Sequence, residues 1–272
     1  MQTATSWAPP ASVQLRAVDR TFGTGADRRV VLEHVDLDVA AGEVVALLGA
    51  SGCGKSTLLR LVSGLDRPTG GAVLVDGDEV DGVERRAAVV FQEPRLLPWR
   101  SLADNVAFGV PDGTSRADRD AAVDRALDAV GLAEFARYRP RAVSGGMAQR
   151  TALARALVRA PGVLLLDEPF AALDALTRIR MQDLVDDLQQ RSGATVLLVT
   201  HDVDEALQLA DRIVVLGRPD DDGDGHSGAG IVHVLAPPGP RPRDRADPGL
   251  TALRADLLDR LGVPVHHTRA PR

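Results

Sequence analysis

Aromatic side chains make up only 3% of the 272 residues, so any core must be built from Ala, Val and Leu. Cysteine is limited to Cys53, which excludes an intrachain disulfide. No apolar run approaches the roughly 20 residues that a membrane-spanning helix needs. The opening MQTATSWAPPASV has neither the basic nor the apolar stretch of a secretory signal, so the chain is expected to be made and kept in the cytosol. Basic tracts are missing as well. The formal net charge is -6, a sign that repels a phosphate backbone and argues against nucleic acid as a partner. Lysine is almost absent: of 32 basic residues, 31 are Arg, and the single Lys is Lys55.

Hydrophobic residues make up 44% of the chain, ample for a packed core, and the length fits one large domain or one with an embedded subdomain. Strand-like stretches run over Val13–Val18 and Val30–Val39, and a short apolar strand over Glu43–Leu48 leads into a glycine-rich turn. The segment Thr57–Ser63 has helical character. From Arg95 to about Leu157 the texture is helical, with Ala117–Val130 the clearest case, a break at Pro140 and a new helix opening at Ser144. Strands return at Val163–Leu166, Thr195–Thr200 and Arg212–Leu216, alternating with helices at Leu176–Gln190 and Val203–Ala210. That alternation predicts a mostly parallel α/β sheet covered on both faces, interrupted by an inserted helical subdomain. The run PDDDGDGHSGAG reads as a solvated loop rather than a metal site. The stretch Pro237–Pro248 is rich in Pro and Arg, and a short helix near Thr251–Leu261 is predicted to follow.

The turn after the third strand reads Gly49-Ala50-Ser51-Gly52-Cys53-Gly54-Lys55-Ser56, then Thr57, a full match to G-x-x-x-x-G-K-[ST] between a strand and a helix. Glycines let successive backbone N–H groups converge on phosphate oxygens, and the helix start adds a positive dipole end. Lys55 is expected to reach the β- and γ-phosphates of ATP, and Ser56 to supply a Mg²⁺ ligand. Cys53 sits at a variable position and reads as filler, since the motif gives its thiol no general base. The run Val163-Leu164-Leu165-Leu166-Asp167-Glu168 places two carboxylates at the carboxyl end of an apolar strand, where open α/β sheets bind ligands. Asp167 is a candidate Mg²⁺ ligand and Glu168 a candidate to polarise water. Two carboxylates there also suit a helix start, a reading the complete phosphate loop outweighs.

Between these motifs lies Ser144-Gly145-Gly146-Met147-Ala148-Gln149-Arg150, a Ser-capped helix start with two glycines. It resembles the signature of ATP-binding cassette (ABC) proteins, with Val143 where Leu is the common residue. The other motifs of that family follow in order. Phe91-Gln92-Glu93 resembles the Q-loop, with Gln92 near Mg²⁺ and the attacking water. Ala172-Leu173-Asp174 resembles the D-loop, with Asp174 at a dimer interface. Thr200-His201-Asp202 resembles the switch region, with His201 on the γ-phosphate. Phe22 resembles the aromatic that stacks on adenine, and a core role for it stands beside that reading.

The resemblance spans roughly residues 12–218. It implies a P-loop NTPase cassette: a mostly parallel core sheet, an antiparallel β subdomain and an inserted α-helical subdomain at about 95–157. Residues 1–11 are expected as a flexible lead, 12–236 as the ATPase domain and 237–272 as a tail with a short helix. Within the family the likeness is greatest to import ATPases for aliphatic sulfonates, taurine and nitrate, on the stretches from Phe91 to Arg100 and from Asp167 to Arg178, the latter with Ala171 where Gly is the common residue. The closing Arg241-Pro242-Arg243-Asp244-Arg245 is most similar to the sulfonate branch. The implied partners are a second copy, which would present Ser144, Gly145, Gly146, Met147 and Gln149 to the nucleotide, two membrane-spanning permease subunits, and indirectly a solute-binding protein. The implied place is the cytoplasmic face of the cell membrane. A permease helix is expected to dock near Pro98 and Trp99, with Trp99 as a plug of the helical subdomain the competing reading. The rivals are a non-transport ABC ATPase and a small-molecule kinase with the same phosphate loop.

Overall fold

The computed structural model describes residues 7–218 and 227–261. Most of the acidic loop and the chain after Leu261 therefore lie outside the described residues. The strands are β1 (Val13–Phe22), β2 (Arg29–Val39), β3 (Val44–Leu48), β4 (Gly70–Val75), β5 (Asp78–Glu79), β6 (Ala87–Val90), β7 (Val163–Asp167), β8 (Thr195–Val199), β9 (Arg212–Gly217) and β10 (Gly230–Leu235). The helices are α1 (Lys55–Val62), α2 (Leu102–Ala107), α3 (Arg116–Ala129), α4 (Gly145–Leu157), α5 (Ala175–Ser192), α6 (Val203–Leu209) and α7 (Pro248–Arg260).

Two sheets form. The larger has the order β10-β9-β3-β8-β7-β6, parallel throughout except for β10, which runs antiparallel to β9 at the edge. The smaller, β2-β1-β4-β5, is antiparallel. The mixed architecture expected from the sequence is thus present, and four of its strands went unread there, the two-residue β5 among them. β4 opens on two glycines and looks like a turn, β6 is a four-residue run of Ala and Val, and β10 alternates on an exposed edge.

Parallel strands buried on both faces need apolar residues at every position. In β7, Leu164 and Leu166 face one core while Val163 and Leu165 face another, and β8 divides in the same way. The first core holds the helical subdomain: Leu102 and Val106 of α2, Val123 and Leu127 of α3, and Leu153 and Leu157 of α4. In the second, α1 is sandwiched between the sheets, with Leu58, Leu59, Leu61 and Val62 against Val13, Val35, Leu47 and Leu197. Aliphatic side chains fill both. Phe170 is the one aromatic among the largest fully buried side chains, and it sits just after β7.

Both ends of the described chain are tied to this frame. Ala11 is buried; its N–H donates to Gly162 O, and its carbonyl accepts from Thr195 Oγ1. Arginines fasten the segment after β10. Arg241 pairs with Asp186 of α5 at 2.7 Å and with Asp211 at 2.9 Å, and Arg243 donates to the carbonyls of Leu207 and Ala210 at the C-terminus of α6. Leu250 and Leu257 of α7 then complete a third core with Val203, Ala206 and Leu207 of α6.

Candidate active site

The strand order β3-β8-β7-β6 fixes what meets what. Register pairs Leu47 with Val199, Asp167 with Val199, and Val90 with Leu166, so these strands end at one height. The phosphate loop after β3, His201 after β8, Asp167 and Glu168 at the end of β7, and Gln92 after β6 therefore stand in a row along the carboxyl edge.

The phosphate loop depends on backbone that only glycine accepts without strain. Gly54 caps α1 at φ 99°, and a Cβ there would lie 2.6 Å from Leu32 Cδ2. A Cβ on Gly49 would meet Leu216 O at 2.4 Å. Lys55 is buried, and its Nζ donates to Gly49 O at 2.7 Å and Ala50 O at 2.9 Å. Cys53 is half-buried against the second core, consistent with filler. Phe22, at the end of β1, lines one cleft of about 420 Å³ together with Val31, Ser51, Lys55, Ser56, Thr57 and Glu168. Its ring is 39% exposed and lies 4.2 Å from the Arg20 guanidinium carbon, which holds the ring at the cleft rather than in the core.

Ser56 Oγ donates to Asp167 Oδ1 at 2.8 Å, joining the two halves of the expected cation site. Burial raises the Asp167 pKa; the Ser56 hydrogen bond opposes that and the neighbouring Glu168 charge adds to it. A hydroxyl and a carboxylate are hard oxygen donors. Among the described residues no cluster of three His, Cys, Asp or Glu side chains forms a closed cage. This donor set fits Mg²⁺, which keeps waters and substrate phosphates as its remaining ligands. Gln92 is exposed on the loop after β6.

Glu168 adopts φ 45°, a left-handed conformation rare outside glycine. Such strain costs on the order of 1–3 kcal/mol and gathers at functional positions. It turns the carboxylate toward His201, whose Nδ1 lies 3.2 Å from Glu168 Oε2. The histidine is 59% exposed and the glutamate 22%, so the pair faces the open edge of the sheet. Behind it, Glu205 of α6 is 3% exposed. Its pKa is raised to about 7, first by burial and then by the Asp202 charge, against the Thr200 hydrogen bond and the Arg178 and His201 charges.

The signature residues lie elsewhere. Ser144 Oγ accepts from Met147 N at 3.3 Å and caps α4; Ser144 and Gly145 are exposed. None of them lines the 420 Å³ cleft. Gly146 is buried, and a Cβ there would lie 2.6 Å from Thr177 Cγ2 at the start of α5. Met147 is half-buried against the first core. Gln149, expected among the partner-facing residues, corrects that expectation. It is 3% exposed and donates to Phe91 O at 3.1 Å, because five positions after the cap α4 has turned it inward. Gln149 thus ties the signature helix to the loop carrying Gln92. Arg155 makes a second tie, to Pro94 O and Arg95 O, which no spacing in the sequence announces. Asp174 caps α5, accepting from Leu176 N, Thr177 N and Thr177 Oγ1, and these bonds hold its carboxyl below the ordinary range.

Comparison with known proteins identifies the family. The model of the family described as ABC transporter matches residues 32–171, about half of the chain. The chain belongs to the ABC transporter family. It is similar to the aliphatic sulfonates import ATP-binding protein SsuB 1 of Streptomyces avermitilis, 50% identical over 258 residues that cover 95% of this chain and 89% of the relative. It is equally similar to SsuB 2 of Paracoccus denitrificans, 50% identical over 255 residues and 93% of each chain. SsuB 2 of Burkholderia lata is 49% identical over 261 residues, 94% of this chain and 88% of the relative. Among solved structures, a dimeric post-hydrolysis state of the ATP-binding cassette MJ0796 bound to ADP and Pi superposes with a TM-score of 0.71. It is 32% identical and covers 84% of this chain and 99% of that one. As an ABC ATPase, the chain binds nucleotide.

Proposed function

We propose that this ABC ATPase powers an importer of aliphatic sulfonates. Two copies would sit at the cytoplasmic face of the cell membrane beneath two permease subunits, with a solute-binding protein delivering cargo. One observation carries the two-copy reading. The phosphate loop, Asp167, Glu168 and His201 gather at one sheet edge, while the exposed Ser144-Gly145 tip does not line their cleft. A second helix-start anion site has a use if it closes on the nucleotide of a twin. The dimeric MJ0796 cassette and the whole-length likeness to sulfonate import proteins support the same reading.

Phosphoryl transfer to water needs chiefly positioning and charge stabilisation. Phe22 holds the adenine, and the loop from Gly49 to Thr57 wraps the phosphates with backbone N–H groups while Lys55 spans the β and γ positions. Ser56 and Asp167, with Gln92, would hold Mg²⁺, which neutralises phosphate charge. Glu168 accepts a proton from the attacking water. His201, with Nδ1 on Glu168, turns Nε2 toward the γ-phosphate. Ser144, Gly145, Gly146 and Met147 of the second copy close the other side, and Asp174 faces that copy. Hydrolysis removes the shared phosphate contacts and the copies part.

In a complex reconstituted with its permeases and binding protein, alkanesulfonates without an amino group are expected to stimulate ATP turnover, and the aminosulfonate taurine or nitrate to leave it at the basal rate. Stimulation by taurine or nitrate alone would move the cargo to that branch. Absence of any effect from permeases and binding protein together would favour a non-transport ATPase.

The helical subdomain carries the motion outward. Trp99 is 66% exposed, which places it on the surface rather than inside the subdomain. A Trp anchor of an interface is worth enough that Trp99→Ala should cut transport by roughly tenfold or more. ATP turnover of the isolated subunit should stay within about twofold, because Trp99 lies outside the nucleotide cleft. Transport and ATPase assays on one preparation check both, and equal loss of the two would refute docking there.

A further inference from the structure

Arg178 lies one turn into α5 and bridges the two ends of the site. Its guanidinium donates to Leu173 O at 3.4 Å, in the loop before Asp174. It also donates to Asp202 Oδ2 at 3.1 Å, the cap of α6 directly after His201. The remaining donor, Nε, is the one buried side-chain polar atom among the described residues without a hydrogen bond. It stops 3.8 Å from Glu205 Oε1, outside the roughly 3.2 Å of a formed bond.

Glu205 holds the other side of the histidine. Its Oε2 accepts from Thr200 Oγ1, the residue directly before His201, and Thr200 Oγ1 accepts from Asp202 N at 3.0 Å. Both chain neighbours of His201 are therefore anchored to Arg178 and Glu205, while its ring meets Glu168. A cavity of about 10 Å³ lies between Arg178, Glu205, His201 and Glu168, so the pair backs directly onto the hydrolytic groups. A buried carboxylate beside a guanidinium that fails to bond it gives little stability. What the arrangement does supply is a fixed geometry with one bond left to close.

We propose that Arg178 and Glu205 are a positioning pair that couples the placement of the Leu173–Asp174 loop to the orientation of His201. This rests on the reading that the loop faces a second copy. When that copy shifts the loop, Arg178 follows its Leu173 bond, Nε closes on Glu205, and the chain on either side of His201 is locked in the turnover geometry. Neither residue touches the reacting atoms.

The test measures kcat and KM for ATP in the reconstituted complex for wild type, Arg178→Ala, Arg178→Lys, Glu205→Gln and the Arg178→Ala/Glu205→Gln double variant. Glu205→Gln keeps side-chain volume and the bond from Thr200, so it folds even where Arg178→Ala does not. Each single variant is expected to lose about tenfold in kcat with KM within about twofold, the size a coupled contact carries. The double variant should be no slower than the worse single one. Arg178→Lys should not recover, since an ammonium cannot reach three acceptors in a plane. Unchanged kcat in Glu205→Gln, additive losses in the double variant, or a KM that rises in step with the loss would each overturn the pair. Glu168→Gln runs alongside: if it hydrolyses ATP normally the site assignment itself is wrong, whereas a dead Glu168→Gln beside a normal Glu205→Gln refutes the coupling alone.

Discussion

A Glu168→Gln variant is expected to bind ATP as wild type does and to hydrolyse it at least about a hundredfold more slowly, the lower end of what a positioned general base contributes. The amide keeps the shape of the side chain and can still meet His201 Nδ1, now 3.2 Å from the carboxylate. It cannot take a proton from water. Lys55, Ser56 and the glycine loop are untouched, so affinity survives and the ATP-bound closed pair accumulates. Single-turnover hydrolysis with nucleotide-binding titrations separates the two effects, and size-exclusion chromatography with ATP reads the pairing. Normal turnover would show that another group activates the water, with Asp167 and His201 next in line by position. Failure to pair with ATP bound, even with permeases present, would remove the shared site.

Lys55→Ala should lose nucleotide itself. The Nζ is buried among the loop carbonyls of Gly49 and Ala50, 2.7 and 2.9 Å away, where a phosphate oxygen would take over part of its bonding. Losing one such preorganised donor costs about 3–4 kcal/mol of transition-state stabilisation, a fall of about 10²–10³ in kcat/KM. Lys55→Arg should recover little, although this chain uses Arg almost everywhere else. A planar guanidinium is broader than an ammonium and does not enter a loop where a Cβ on Gly54 would already strike Leu32. Calorimetric binding of ATP and steady-state hydrolysis measure both variants. Rescue by Arg would mean that charge alone, without a slim stem, satisfies the loop.

Much of this site was legible because phosphate chemistry demands fixed local spacings. The loop from Gly49 to Ser56, the carboxylates after β7 and the Ser144 cap each lie within a few consecutive residues. Strands β3, β7 and β8 were legible because burial on both faces demands unbroken Val and Leu. What connects the motifs was not. Gln149 to Phe91, Arg155 to Pro94 and Arg178 to Asp202 join residues 58, 61 and 24 positions apart, and no local pattern encodes them. The same holds for Arg241 and Arg243. In a composition with 31 arginines, the few that bind the tail to α5 and α6 cannot be told from the rest until the chain has folded. The contact of His201 with Glu168 follows from β8 lying beside β7, a matter of strand order.

The aliphatic interior has a spectroscopic consequence. The chain has two indoles. Trp7 is half-buried beside Ala122, Ala126 and Leu157, and Trp99 stands in solvent on the helical subdomain. Emission from Trp99 therefore reports on whatever lands on that face and little on the cores. With Trp7 replaced by Phe, the folded variant becomes a single-fluorophore sensor of the docking proposed at Trp99, its signal expected to blue-shift if the ring leaves water.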